Sequence, residues 1–148
     1  LGAALGAQVA QPGLRVVNVA GDGSFHMNCA ELSTAAKYNI PVIELIVNNN
    51  VLGMVRQWQK LFYDGRFSQT TLNKATNYEL LAEAFGVKAF TIRTCQDVEP
   101  VLRQALDYQG PSLINCLIDS DMNVLPMVPA GSAAEEAILE IDEKEQQQ

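Results

Sequence analysis

The sequence holds no apolar run of the roughly 20 residues that a helix needs to cross a bilayer, so no membrane span is expected within it. Basic charge is scarce. Ten Lys and Arg stand against 17 Asp and Glu, a formal net charge of -7, whereas a surface built for nucleic acid needs clustered cations. A nucleic-acid partner is therefore not expected, although a single diphosphate can still be held by a metal ion and backbone N–H groups. Cysteine occurs three times, at Cys29, Cys95 and Cys116, without the paired spacing of a metal site. These residues read as small buried hydrophobes in a reducing compartment, the cytoplasm if the source is bacterial. Histidine occurs once, at His26, where a capping or partly solvated role is commoner than catalysis. The sequence also lacks a Gly-x-Gly-x-x-Gly turn and a Walker lysine, which weighs against a non-catalytic module for ATP or a dinucleotide.

What is present centres on Val16 to Asn50. One run, Val16 to Ala20, breaks at Gly21-Asp22-Gly23, and a second, Val42 to Val47, breaks at Asn48-Asn49-Asn50. Both runs are short, β-branched and closed by turn formers, the pattern of buried parallel strands. Between them Asn28 to Tyr38 suits a crossover helix, with Asn28 and Glu31 as a capping box and Asn39 and Pro41 as the stop. A right-handed β-α-β unit brings both polar clusters to one sheet edge, the edge where open α/β sheets bind ligands. There Asp22 offers a carboxylate, Asn49 a side-chain carbonyl, and the irregular backbone after the second strand a main-chain carbonyl. Hard oxygen donors of this kind favour Mg²⁺ or Ca²⁺ over zinc, and Mg²⁺ fills its remaining positions with water and substrate phosphates. Gly21 and Gly23 permit positive φ and a close backbone approach, and the following helix turns its positive end to the same spot.

Gly-Asp-Gly followed at this spacing by Asn-Asn resembles the signature of thiamine-diphosphate enzymes. The resemblance narrows with Gly53 to Gln59, Leu61-Phe62-Tyr63, and Val124 to Gly131 (VLPMVPAG), which are similar to the large catalytic subunit of acetohydroxyacid synthase, the anabolic acetolactate synthase. It covers roughly Leu1 to Asp142. It implies that Asp22, Asn49 and the main-chain carbonyl of Val51 hold magnesium. It sets Gly21, Gly23, Ser24, Met27, Leu52, Gly53 and Met54 against the cofactor, and gives Trp58, one turn beyond Met54, a wall that favours 2-ketobutyrate as second substrate. It assigns no catalytic residue within this chain. The implied reaction decarboxylates pyruvate and condenses the two-carbon unit with pyruvate or 2-ketobutyrate, in branched-chain amino-acid synthesis. A dimer or tetramer with its site between subunits, a small regulatory subunit and a flavin on another domain are implied too. A different thiamine-diphosphate 2-oxo-acid decarboxylase or carboligase would share Asp22 and Asn49 but need not share Trp58 or the Val124 arm.

The remaining chain completes a doubly wound, mostly parallel α/β sheet with helices on both faces. Leu1 to Val9 reads as a close-packed helix, Leu61 to Ala75 as a loop in which Arg66 is a solvated arginine, and Thr76 with Glu79 as a second capping box. A helix through Tyr78, Leu81, Ala82 and Phe85 stops at Gly86. The strand Val87 to Ile92, a helix from Thr94 with Val98, Val101, Leu102 and Ala105 on one face, and the strand Leu113 to Ile118 follow. Asp119 to Gly131 is extended, Ala133 to Ile141 suits a short helix, and Glu143 to Gln148 reads as a polar tail. Leu1 is not a start residue and its helix lacks a cap, so a piece of a longer polypeptide, with one domain over 1–142, is expected. The activating glutamate implied by the resemblance lies on another domain. The purified chain should therefore make no acetolactate from pyruvate, and measurable product would refute this.

Overall fold

The two apolar runs become neighbouring strands of a wholly parallel, four-stranded sheet in the computed structural model, which describes residues 1–72 and 76–141. β1 (Val17–Gly21) pairs with β2 (Ile43–Asn48), β2 with β4 (Ser112–Leu117), and β4 with β3 (Lys88–Ile92). Each strand begins and ends within one residue of its expected position, because β-branched runs flanked by turn formers leave little freedom in register. The connection from β1 to β2 runs through α2 (Asp22–His26), a 3₁₀ turn (Cys29–Glu31) and α3 (Leu32–Lys37). α4 (Gly53–Phe62) and α5 (Tyr78–Ala84) lead to β3, and α6 (Cys95–Asp107) returns to β4; α1 (Gly2–Ala10) precedes them all.

The chain steps outward from β1 to β3 and then back to β4, and with right-handed crossovers that reversal puts α6 on the face opposite α3 and α5. The packing agrees. Phe25, Leu32, Tyr78 and Ala82 cover Ile46 and Leu113 on one face, while Val101, Leu102 and Ala105 cover Ile43, Ile92 and Ile114 on the other. Alternation along β2 sends Ile43 and Ile46 to opposite sides. α1 rests on the first side, with Ala4 and Leu5 against Ala35 and Val42. The doubly wound α/β arrangement with helices on both faces is thus the one the sequence implied.

Several local expectations change. The expected crossover helix forms over nearly its expected span, as a 3₁₀ turn running into α3, but a separate short helix, α2, precedes it, because Asn28 at φ -135° and ψ 17° leaves the helical region between them. Asn28 heads only the 3₁₀ turn and makes no side-chain cap, and Glu31 accepts instead from Thr34 Oγ1 at 3.0 Å, so that capping box does not form. Asn77 caps α5 in place of Thr76, its side chain accepting from the Leu80 N–H at 2.9 Å. Thr94 does start α6, where Asp97 Oδ2 accepts from the Thr94 N–H at 2.8 Å and from its hydroxyl at 3.0 Å. Leu61 and Phe62 finish α4 rather than start a loop. Cys95 is exposed at the first position of α6, so it is no buried hydrophobe, while Cys29 and Cys116 are half-buried; all three are free thiols. Val98 is exposed as well. The expected helix over Ala133 to Ile141 reduces to a 3₁₀ turn (Ala134–Glu136), after which Ile138 bridges to Met127. Gly86, at φ 77°, ends α5 as expected. Residues 73–75 and the tail from 142 lie outside the described residues. Among the described residues, no helix is long and apolar enough to cross a membrane.

One buried group opposes the fold. Glu44 sits on the α3 side of β2 with no exposed surface; Oε2 accepts from Asn18 Nδ2 at 2.7 Å, but Oε1 has no hydrogen-bond partner among the described residues. Burial pushes its carboxyl above the ordinary 4.5, only partly offset by Asn18 and the charge of the amino terminus. A raised carboxyl favours the fold while protonated and loses that contribution as pH rises through the folded value. Glu44→Gln is therefore expected to raise the melting temperature at pH 7 by a few degrees and to change it little at pH 4, in paired thermal melts.

Candidate functional site

Parallel pairing carries Gly21 opposite Val47, so the chain leaves β1 and β2 side by side at their carboxyl ends. The two turns that follow then interlock. Asp22 is buried to 2% exposure, and its Oδ1 accepts from the Gly23 N–H at 3.0 Å. Burial pushes the Asp22 carboxyl above its ordinary 3.8, while the N–H groups of Gly23, Asn50 and Asp22 itself and the charge of His26 pull it back. The Asn50 N–H belongs to the second turn, where it donates to Asn48 Oδ1 and also lies near enough to the Asp22 carboxylate to favour its charged form. Gly23 lies so near that turn that a Cβ on it would stand 2.8 Å from Leu52 Cδ2. Gly53 plays the same part in reverse, since a Cβ there would stand 2.8 Å from Asn49 Nδ2. The glycines thus serve close approach. The positive φ expected of Gly21 and Gly23 is not used: Gly21 has φ -73°, and among the described residues the positive-φ glycines are Gly65, Gly86 and Gly131.

The second turn is pinned from both sides. Asn49 Oδ1 accepts from the Val51 N–H at 3.2 Å and Asn48 Oδ1 from the Asn50 N–H at 3.1 Å, which holds Asn50 at φ 58°, a conformation that asparagine tolerates. On its far side the Leu52 N–H donates to the Thr70 carbonyl (2.7 Å) and the Leu72 N–H to the Asn50 carbonyl (2.8 Å). Val51 and Thr71 therefore face each other as a non-hydrogen-bonded antiparallel pair, and the Val51 carbonyl is turned away from this bridge. Asn49, Val51, Arg56, Thr71 and Asp119 line a cleft of about 470 Å³ here.

The other predicted residues are dispersed. Gly21, Ser24 and Met27 border a separate cleft of about 370 Å³ with Asn18 and Glu44, and Met27 is 84% exposed. Met54 is exposed on the first turn of α4, and Trp58 stands edge-on to Phe62. Trp58 lines a third cleft with Val55, Gln59, Tyr63 and Arg66, away from the Asn49–Val51 turn; Arg66 is exposed and paired with Asp64, as a solvated arginine should be. His26 stacks on Tyr78, with Nε2 3.2 Å from the phenol oxygen, and covers its hydroxyl instead of reaching the turns. Burial, with the charges of Asp22 and Cys29, pushes that phenol up to about 12.

A family model described as "Thiamine pyrophosphate enzyme, C-terminal TPP binding domain" matches residues 1–116. The chain belongs to the thiamine pyrophosphate enzymes. It is 47% identical over 134 residues to the acetolactate synthase large subunit of Porphyra purpurea, covering 90% of this chain and 23% of that protein. It is 44% identical over 138 residues to the isozyme 2 large subunit of Escherichia coli K12, covering 93% of this chain and 25% of that protein. The solved thiamine diphosphate-dependent 4-hydroxybenzoylformate decarboxylase of Rhodococcus jostii RHA1 shares the fold, with a TM-score of 0.73 and 33% identity over 81% of this chain and 23% of that one. The chain thus spans about a quarter of the length of the curated relatives it matches.

For a thiamine pyrophosphate enzyme the donor set suits a magnesium diphosphate. No cluster of three or more His, Cys, Asp or Glu that could hold a metal exists among the described residues, which argues against an all-protein cage. One buried carboxylate, one amide oxygen and one main-chain carbonyl leave octahedral positions for phosphate and water. Sequence reasoning missed three groups here. Asn48 and Asn115 are buried and bonded to each other at 3.0 Å. Gln57, buried in α4, exchanges two hydrogen bonds with the Val124 backbone and so fixes the Val124 arm. The available signal was phase: Asn48 and Asn115 fall on the same beat as the buried Ile46 and Leu113 of their strands, where an amide needs a partner.

Asp22→Asn is expected to leave the melting temperature of the metal-free chain unchanged or higher. It removes a buried charge and keeps an oxygen for the Gly23 N–H. Uptake of thiamine diphosphate with magnesium should meanwhile fall at least tenfold, and calorimetric titration beside thermal melts checks both. Gly53→Ala should weaken the same uptake by displacing the Asn49 amide.

Proposed function

We propose that this chain is the thiamine-diphosphate- and magnesium-binding domain of an acetolactate synthase. In the whole protein it would serve the decarboxylation of pyruvate and the condensation of the two-carbon unit with a second pyruvate or 2-ketobutyrate, a step of branched-chain amino-acid synthesis. The observation that carries the metal part is the seating of the Asp22 carboxylate against the Asn49–Val51 turn, with the Val51 carbonyl turned out of its bridge. Relatives named acetolactate synthase, 42–47% identical over most of the chain, support the choice of reaction.

On this reading Asp22, Asn49 and the Val51 carbonyl bind magnesium. Gly21, Gly23, Ser24 and Met27 flank the diphosphate, and Leu52, Gly53 and Met54 flank the rings. The bound cofactor supplies carbanion stabilisation, the part of the reaction that no side chain here can perform. The chain supplies position and charge. Asp22 loses little by meeting a cation, because its desolvation is already incurred in the fold. The flavin and the activating glutamate belong to domains outside this chain, as do the contacts of a homodimer or tetramer and any small regulatory subunit; a bacterial source would place the enzyme in the cytoplasm. Trp58, exposed with Val55 and Tyr63 beside it, is the wall against which a 2-ketobutyrate ethyl group would rest.

A thiamine-diphosphate decarboxylase is the second reading, favoured by the shared fold with the Rhodococcus enzyme. Calorimetric titration of the chain with thiamine diphosphate, with magnesium and again with chelator, tests the site. Saturable uptake that needs magnesium and disappears in Asp22→Ala is expected. The enclosing full-length protein, supplied with pyruvate, should form acetolactate; release of acetaldehyde alone would select the decarboxylase. In that protein Trp58→Leu should cut the preference for 2-ketobutyrate over pyruvate by about tenfold, which is the scale of one methylene in an apolar pocket.

A further inference from the structure

A line of buried and half-buried polar groups starts beside the proposed metal turn and runs along the α5 face to the far edge of the sheet. Asn48 closes β2 at 3% exposure. Its Oδ1 accepts from the Asn50 N–H inside the turn at 3.1 Å, and its Nδ2 donates to Asn115 Oδ1 on β4 at 3.0 Å. Asn115, 5% exposed, donates in turn to Glu79 Oε1 on α5 at 3.4 Å. Thr91 on β3 donates its hydroxyl to that same oxygen, and Arg93 lies 3.9 Å from it. The line thus crosses β2, β4 and β3 and takes its fixed end from α5.

The direction of these bonds has a consequence for the turn. An asparagine amide can rotate by half a turn at little cost in shape, exchanging its oxygen for its nitrogen. If Asn48 did so, an NH₂ group would face the Asn50 N–H, and the turn would lose its acceptor. Asn115 prevents this only while its own oxygen faces Asn48. That orientation is fixed by Glu79, which can accept from the Asn115 NH₂ and cannot donate while ionised. Burial pushes the Glu79 carboxyl upward, but the Thr91 hydroxyl, its own backbone N–H, Asn115 and Arg93 bring it below the ordinary 4.5, so it is an acceptor at neutral pH. Glu79 therefore sets the orientation of two amides in succession.

We propose that Glu79 and Asn115 are positioning residues for the metal turn: by fixing the orientation of Asn48 they hold the Asn50 backbone, and with it the Asn49 oxygen and Val51 carbonyl, in place for magnesium. The proposal rests on the metal site described above. Neither residue touches metal, cofactor or substrate; both act through Asn48.

The test uses the full chain with magnesium chloride and thiamine diphosphate as probes, together with amide hydrogen exchange on the metal-free protein. In Asn115→Ala and Glu79→Leu the dissociation constant for magnesium, at saturating thiamine diphosphate, should rise about tenfold, the lower end of what loss of such outer contacts costs a metal site. The Asn50 amide should lose protection while Ile46 and Leu113 in the sheet keep theirs. Glu79→Gln keeps the shape and an acceptor for Asn115 and Thr91 but can also donate, so both readouts should fall between those of Glu79→Leu and the wild type; a role in packing alone would leave it at the wild-type level. Thr91→Val keeps its shape and removes one contact to Glu79, so it reports a smaller loss of affinity even if Asn115→Ala fails to fold. Wild-type uptake of magnesium with unchanged affinity and unchanged Asn50 exchange in Glu79→Leu and Thr91→Val would overturn the proposal. Absence of uptake in the wild type would instead overturn the metal site itself, and with it this role.

Discussion

Everything at the carboxyl edge depends on one constraint: β1 and β2 are hydrogen-bonded in parallel, with Gly21 opposite Val47. Two parallel neighbours must release their chains on the same side, and equal register makes them do so at the same height. The polar residues after each strand are then forced into contact, where the shapes of Gly23 and Gly53 allow Leu52 and Asn49 to fill the space. A slip of one residue in β2 would rotate Asn48 from the inward side to the α6 side and separate Asp22 from Asn50. The apolar core resists such a slip, since Ile46 would leave Phe25, Leu32 and Tyr78.

The sequence made the scaffold legible because burial repeats along it. The apolar runs located all four strands to within a residue, and the helix stop at Gly86 and the start at Thr94 followed from φ preference and capping chemistry. Less regular features were read less well. Asn28 and Thr76 had the right composition for caps, but the neighbouring geometry selected the 3₁₀ turn and Asn77. Cys95 looked buried because it adjoins an apolar helix face, whereas the first turn of α6 projects into solvent.

Of the site itself, composition and spacing pointed to Asp22 and Asn49, and the family resemblance added the Val51 carbonyl; the structure sets the turn after β1 against the turn that carries Asn49 and Val51. What spacing cannot convey is which of three consecutive asparagines does what. Asn49 and Asn48 both turn an oxygen toward backbone N–H groups, and Asn50 takes the left-handed conformation. The partners that separate these roles, Asn115 and Glu79, come from β4 and α5, remote in the chain and adjacent only in the fold. The expected wall around Met54 and Trp58 is the part least resolved within this chain, because both residues are exposed on α4.

The pairing of Val51 with Thr71 bears on how this site can vary over evolutionary time. The carbonyl proposed to hold magnesium is a main-chain group, and every amino acid carries one, so exchange of the side chain at position 51 leaves it in place. Its aim is set by bonds that are themselves backbone to backbone, Leu52 to Thr70 and Leu72 to Asn50. One corner of the site is thereby insulated from most point substitutions, and change there must act through chain length or backbone path. The proposed donors Asp22 and Asn49 have no such protection, since a single codon change can remove either side chain.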